Sequence, residues 1–206
     1  MKSFRSLLLG GSILAASLAP ALAAPETYEI DPVHSQVGFT IRHFVSRVAG
    51  HFAKFSGQIT VDQETPAVSK VTAEIETASI DTGVDKRNGH LKSPDFFDAE
   101  KNPKITFTST SVVPNGKDHT KVTGDLTMHG VTKPVTLDVA WLGFMGPRAG
   151  FQATGTINRK DFGIVYNTVL DAGGTMLGDD VEITILVEAD NPGPPKAEEK
   201  KPAAPK

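Results

Sequence analysis

From Gln36 to Ala189 apolar and polar residues alternate with a period of two, and no long stretch keeps the 3.6-residue period of a helix. That alternation is the mark of strands with one buried face and one wetter face. Eight segments carry it. Val37, Phe39 and Ile41 alternate with Gln36, Gly38, Thr40 and Arg42, and Phe55, Gly57, Ile59 and Val61 with Ser56, Gln58, Thr60 and Asp62. Val71 to Glu76, Ile105 to Thr108, Val122 to His129, Val135 to Trp141, Phe151 to Ile157 and Val181 to Glu188 repeat the pattern. The fifth and sixth read as a hairpin across a Gly130 to Pro134 turn.

About eight antiparallel strands close into a barrel whose interior holds packed side chains or one small ligand; a two-sheet sandwich is the alternative. The expected class is therefore all-β, with a short helical insertion at about residues 80–104. Thr82 could cap one helical piece there, and Pro94 could begin another at Asp95 to Asp98. A connection of this length covers a barrel end or makes a site.

The two ends differ from the middle. Lys2 and Arg5 precede an apolar run from Leu7 to Leu18, followed by Pro20 and Ala21-Leu22-Ala23, so residues 1–23 read as a cleavable export signal. The run is shorter than the roughly 20 residues that cross a bilayer. Residues 191–206, NPGPPKAEEKKPAAPK, lack large apolar side chains and read as a disordered Pro/Lys-rich tail, or as a surface tether through its lysines. The chain has no cysteine, so disulfides, thiol catalysis and thiolate metal sites are excluded.

Of the 21 basic residues, two lie in residues 1–23 and four in the tail, as do two of the 24 acidic ones. Residues 24–190 therefore carry 15 basic and 22 acidic groups, a net of −7. A phosphate-backbone contact needs a basic face, so nucleic acid is not an expected partner.

Catalytic and metal motifs are weak. No two of the six histidines stand at i, i+2 or i, i+4, which leaves only chance assemblies such as His43 with His51. Ser35 beside His34 lacks a nucleophile elbow, and the carboxylate pairs Asp95/Asp98 and Asp179/Asp180 fall in loop-like stretches. More telling are charged residues on the apolar side of the alternation. His43 continues Val37, Phe39, Ile41, and Arg159 continues Phe151 to Ile157. A charge inside a barrel requires a partner. For Arg159 that is either an internal carboxylate, such as Asp161, or a polar ligand group near the mouth. Phe, at 11 residues, far outnumbers Tyr and Trp and suits a core or a lipid-lined cavity equally.

Seven motifs in order carry a family resemblance: His34-Ser35; Phe39 with His43; Phe52 to Gly57; Arg87 with His90-Leu91 and Phe96-Phe97; Asn102 to Phe107; Gly124 to Gly130; and Arg159 to Gly163. Over residues 27–189 the chain resembles the YceI-like family of periplasmic polyisoprenoid-binding proteins. The resemblance implies a lipocalin-like eight-stranded antiparallel barrel holding a polyisoprenoid or another long-chain amphiphile. It implies binding or transport rather than catalysis, with no cofactor and no catalytic residue to carry over. It also implies links to stress responses and to membrane cytochromes.

The expectation is a periplasmic carrier, with a transient contact to a membrane or a membrane cytochrome and a homodimer as further partner expectations. Phe44 marks either a dimer surface or scattered surface apolar area. Facing assigns Phe39, Ile41, Phe52, Phe55, Leu91, Phe96, Phe107, Trp141, Phe151 and Phe162 to the wall or mouth. His43, Arg159 and the Arg87/His90 pair are the polar-head candidates. An enzyme acting on a lipid or quinone headgroup, or a solid-cored interaction module, are the rival readings.

Overall fold

A computed structural model describes residues 24–171 and 173–193; the expected export signal and residues 194–206 of the expected tail lie outside them. Three strand paths are bent and appear as paired halves. These are β1 (Glu26–Ile30) with β2 (Gln36–His43), β3 (Ser46–Phe52) with β4 (Phe55–Val61), and β5 (Lys70–Glu76) with β6 (Ile80–Asp81). Five unbroken strands follow: β7 (Lys104–Pro114), β8 (His119–Met128), β9 (Val131–Met145), β10 (Arg148–Asn158) and β11 (Leu177–Asp190). Counting each bent pair once, eight paths run antiparallel to their neighbours in chain order. β11 closes the ring on β2 and then on β1. A closed ladder removes the sheet edges.

The eight alternating segments are thus the eight paths, but the paths are longer. β1, β3 and β6 extend them where the alternation is too thin to read. Only Tyr28 and Ile30 are large and apolar in β1, and Gly50 interrupts the apolar face of β3 between Val48 and Phe52.

The bend between β1 and β2 is held by the His34-Ser35 motif. Here the Ser35 hydroxyl accepts from the Glu188 amide (3.0 Å) and donates to the Glu188 carbonyl (3.1 Å), which also accepts from the Asp31 amide at 2.9 Å. The Asp31 carboxylate accepts from the Val33 amide and from His34 Nδ1, at 2.8 and 2.6 Å. The hydrogen bond from His34 holds the Asp31 carboxyl below the usual carboxylate range, and Asp31 in turn raises His34.

Both long connections, 82–103 and 159–176, follow an odd number of strand paths and therefore lie at the same end. One of them carries helix α1 (Asp85–Lys92). Thr82 does not cap this helix. Val84 stands at that position without a side-chain cap, while Thr82 donates from its amide and hydroxyl to Asn88 Oδ1 (2.9 and 2.7 Å). Asp95 to Asp98 form a turn rather than a second helix, ending with Asp98 in the left-handed region at φ 44°. The β8–β9 turn is also shorter than expected. His129 and Gly130 alone make it, both with positive φ, as the tight hairpin turn requires, and Val131 to Pro134 belong to β9.

Two clusters pack the barrel. One, at the α1 end, joins Phe52, Ile80, Phe96, Ile105, Met128, Val135, Leu137, Phe162 and Ile164. The other, at the opposite end, joins Tyr28, Ile59, Val61, Ala149, Phe151 and Ala189.

Gly57 shows how closely the paths coil. A Cβ there would overlap the Thr72 carbonyl oxygen and lie 2.8 Å from Ile30 Cδ1. Gly57→Ala is expected to lower stability by about 1–3 kcal/mol in urea unfolding, because a backbone carbonyl cannot move aside. Gly89→Ala in α1, where a Cβ meets nothing within 4 Å, should instead stabilise by up to about 1 kcal/mol.

An apolar cavity along the barrel

The interior face of the strands is apolar but not filled. Phe39, Ile75, Phe107, Leu126 and Ile183 point inward yet are only half-buried. In a packed core such residues lose nearly all their accessible surface. Here they line a cavity of about 1050 Å³ reaching from the α1 end to the opposite end. Glycines keep it open by letting aromatic rings lie flat on the wall. A Cβ at Gly124 would overlap the Phe107 ring, and one at Gly50 would overlap the Phe39 ring.

Most residues singled out by facing lie on this wall. Phe39, Ile41, His43, Phe52, Phe55, Arg87, His90, Leu91, Phe96, Phe107, Trp141, Phe151 and Arg159 all line the cavity. Phe162 is not among the lining residues. It sits one turn beyond β10, 1% exposed, within the α1-end cluster, and its carbonyl accepts from His129 Nδ1 (2.9 Å). The alternation of a strand does not continue through the tight 3-10 turn at Arg159–Phe162.

Arg159 has internal partners. Its Nη1 donates to the Ile164 and Tyr166 carbonyls (both 2.8 Å), its Nε to the Gly178 carbonyl (2.9 Å), and its Nη2 faces Asp179 at 3.4 Å. Four of five guanidinium donors are thus occupied, and the carboxylate is Asp179 rather than Asp161. Burial pushes the guanidinium below its ordinary value, and the Asp179 charge opposes this. Arg159 is therefore a clasp on the 159–178 segment, the internally paired of its two readings, and it stands on the cavity wall.

The other polar candidates meet at the α1 end. Arg87 donates from Nε and Nη2 to the Thr82 hydroxyl and carbonyl, each at 2.7 Å. His90 pairs through Nε2 with Asp95 (2.8 Å) and sets its ring edge-to-face against Phe96 and Tyr166, both with centroids 5.0 Å away. The His43 ring stands edge-on to Phe44, outside these contacts. Tyr166 is on the wall as well, and no sequence pattern pointed to it, since it lies in the irregular 159–176 connection. His43 and His51 do not come together; they stand at opposite ends of the β2–β3 pairing.

At the opposite end Trp141 and Phe151 were legible, but the rim was not. Gln63, Pro114, Gly116, Lys117, Asp118, His119 and Leu142 line the cavity there and are themselves exposed, so the cavity opens to water between the β4–β5 and β7–β8 connections and β9. These are short turns without alternation. Beside them Tyr28 is buried and donates to Glu26; burial first, and the carboxylate second, push its hydroxyl up to about 12.

As for metals, Asp31, His34 and Glu188 bring ligand atoms within 4.8 Å of one another. His34 is engaged with Asp31, however, and Glu188 with Arg148 at 2.6 Å. Both pairings account for the cluster.

Replacing Arg159 by Ala would leave three carbonyls without their donor. It is expected to lower stability by about 2–4 kcal/mol in urea unfolding, with hydrogen exchange rising first over 159–178. Arg159→Lys should recover only part of this, because one ammonium cannot reach acceptors spread around a planar fork.

Comparison with known proteins agrees with the geometry. The profile of the YceI-like domain matches residues 28–189. Protein YceI of Escherichia coli O6:H1 is 43% identical over 165 residues, covering 76% of this chain and 86% of that protein. The crystal structure of Burkholderia cenocepacia BcnA superposes with a TM-score of 0.72 at 29% identity, over 78% of this chain and 99% of that one. A polyisoprenoid-binding domain from Saccharophagus degradans, implicated in plant cell wall breakdown, shares the fold at a TM-score of 0.63. It is 18% identical, with 80% of this chain and 98% of that one covered. On the family profile, the curated relative and the closed barrel together, this chain belongs to the YceI-like family.

Proposed function

We propose that this protein is a periplasmic carrier that takes the apolar chain of a polyisoprenoid, or of a similar long-chain amphiphile, into the barrel. The observation that carries the reading is the open, apolar cavity of about 1050 Å³ running between the two packed ends. Apolar ligand sites have volumes of this order. Each methylene withdrawn from water stabilises the complex by about 0.8 kcal/mol, so a long chain needs few polar contacts. The Saccharophagus neighbour supports the ligand class, and the basic, apolar, Ala-x-Ala start of the chain supports the compartment.

The polar end of the ligand stays at the open end, where the exposed Lys117 makes no ion pair among the described residues. At the α1 end Arg87, His90 and Arg159 already have intramolecular partners. This arrangement favours binding over an enzyme acting on a headgroup, which would need convergent titratable groups facing the bound molecule.

Two measurements test the carrier. Native mass spectrometry of protein expressed with its export signal in a bacterial host should show one long-chain passenger per chain, recoverable by solvent extraction. An empty protein would overturn the reading. Ala153 lines the cavity beside Val139 and Ile185. Ala153→Trp should reduce passenger occupancy at least about tenfold while changing stability by less than about 1 kcal/mol, since the added volume enters empty space. A large destabilisation with loading intact would indicate a filled interior.

A further inference from the structure

The cover at the α1 end is built from two directions. The 82–103 connection joins the third strand path to the fourth, and the 159–176 connection joins the seventh to the eighth. In a closed ring of eight these departure points lie on opposite sides, so a contact between the two connections has to cross the mouth. Such a contact exists. The His90 ring centroid stands 5.0 Å from those of Phe96 and Tyr166, and the Phe96 and Tyr166 centroids are 5.0 Å from each other. His90 and Phe96 come from the first connection and Tyr166 from the second, and all three rings line the cavity.

The crossing is anchored on both sides. On one, Asn88 Nδ2 donates to Asp81 Oδ1 at the end of β6 (2.8 Å), Asn88 Oδ1 accepts from Thr82, and His90 is paired with Asp95. On the other, the Tyr166 carbonyl accepts from Arg159. The next residue, Asn167, exchanges two hydrogen bonds with Leu177 at the start of β11, Oδ1 accepting from its amide and Nδ2 donating to its carbonyl, both at 2.9 Å. Rings held to strands on both sides form a fixed stop. The wall leading to them is aliphatic: Val71, Val139, Ala153 and Ile185 offer a sliding chain no polar group at which to halt.

We propose that the His90, Phe96 and Tyr166 rings are a ruler that sets the length of apolar chain the barrel accepts. The proposal rests on the carrier reading, with the chain entering tail first from the open end. Each methylene buried before the stop multiplies the affinity about fourfold, whereas carbons that the stop excludes remain in water and add nothing. Tyr166 is the member that can be shortened with least damage. It is half-buried and lies outside any helix or strand, while Phe96 belongs to the buried α1-end cluster.

The test is competition read by native mass spectrometry, with geranylgeraniol, solanesol and undecaprenol offered together in detergent solution to the full chain. Tyr166→Ala should raise the ratio of bound undecaprenol to bound geranylgeraniol at least about tenfold over wild type. Tyr166→Leu, which shortens the stop without emptying it, should give a smaller rise. Tyr166→Phe should give none, since the ring and not its hydroxyl blocks the chain. Leu142→Ala, on the open rim, should leave the ratio at its wild-type value. If Tyr166→Ala and Tyr166→Leu weaken all three prenols by one factor and the ratio holds, the tyrosine is only a structural support; that result would overturn the ruler and leave the carrier standing. An equal rise in Leu142→Ala would also overturn it, because length would then be set at the open mouth. Wild-type protein that takes up none of the three prenols would overturn the carrier reading, and the ruler with it.

Discussion

Everything in this molecule depends on closing the sheet. β11 is the strand that does it, pairing along its length with β10 on one side and with β2 and then β1 on the other. A single partner path can follow it only by bending, and the bend interrupts the ladder at Glu188. There the Ser35 hydroxyl accepts from the Glu188 amide, while the Glu188 carbonyl accepts from the Asp31 amide as well as from Ser35. A side chain thus takes the place of a strand at one amide, and the ladder escapes the cost of leaving that donor unmatched. The His34-Ser35 motif is better understood as this joint than as chemistry.

Closure alone leaves the interior undecided, because a ring of eight strands holds either side chains or a ligand. Two things make this one hollow. The large residues that fill space, such as Phe151, Phe162 and Ile80, gather at the two ends, while the middle of the wall presents Val, Ile and Ala. Glycines at 50 and 124 then let Phe39 and Phe107 lie against the neighbouring strands instead of across the lumen. The two ends are also unequal. Long connections clasped by Arg159 cover one, and short turns leave the other open. An apolar chain inside would therefore have an exit at the open end.

The strands were legible because a half-buried strand must alternate, and the same alternation placed Phe39, Ile41, Phe107 and Trp141 on the wall. The method failed where its cause was absent. β1 and β6 are too short to show a period, and Phe162 lies past a turn that breaks it. Thr82 looked like a helix cap, but the Asn88 amide group nearby offered it a stronger partner. For Arg159 the sequence offered two kinds of partner, and the carbonyls of Ile164 and Tyr166, which hold it, carry no side-chain signature.

By itself the sequence determined an all-β domain of eight alternating paths, a wall rich in phenylalanine, an acidic surface and basic ends, since each follows from residue types and their order along the chain. The tertiary structure alone decided that the barrel is hollow and which end is open. It also decided that Arg159 is a clasp. Those outcomes depend on how distant segments meet in space. Alternation records only which way a side chain points, and not whether anything stands opposite to fill the gap.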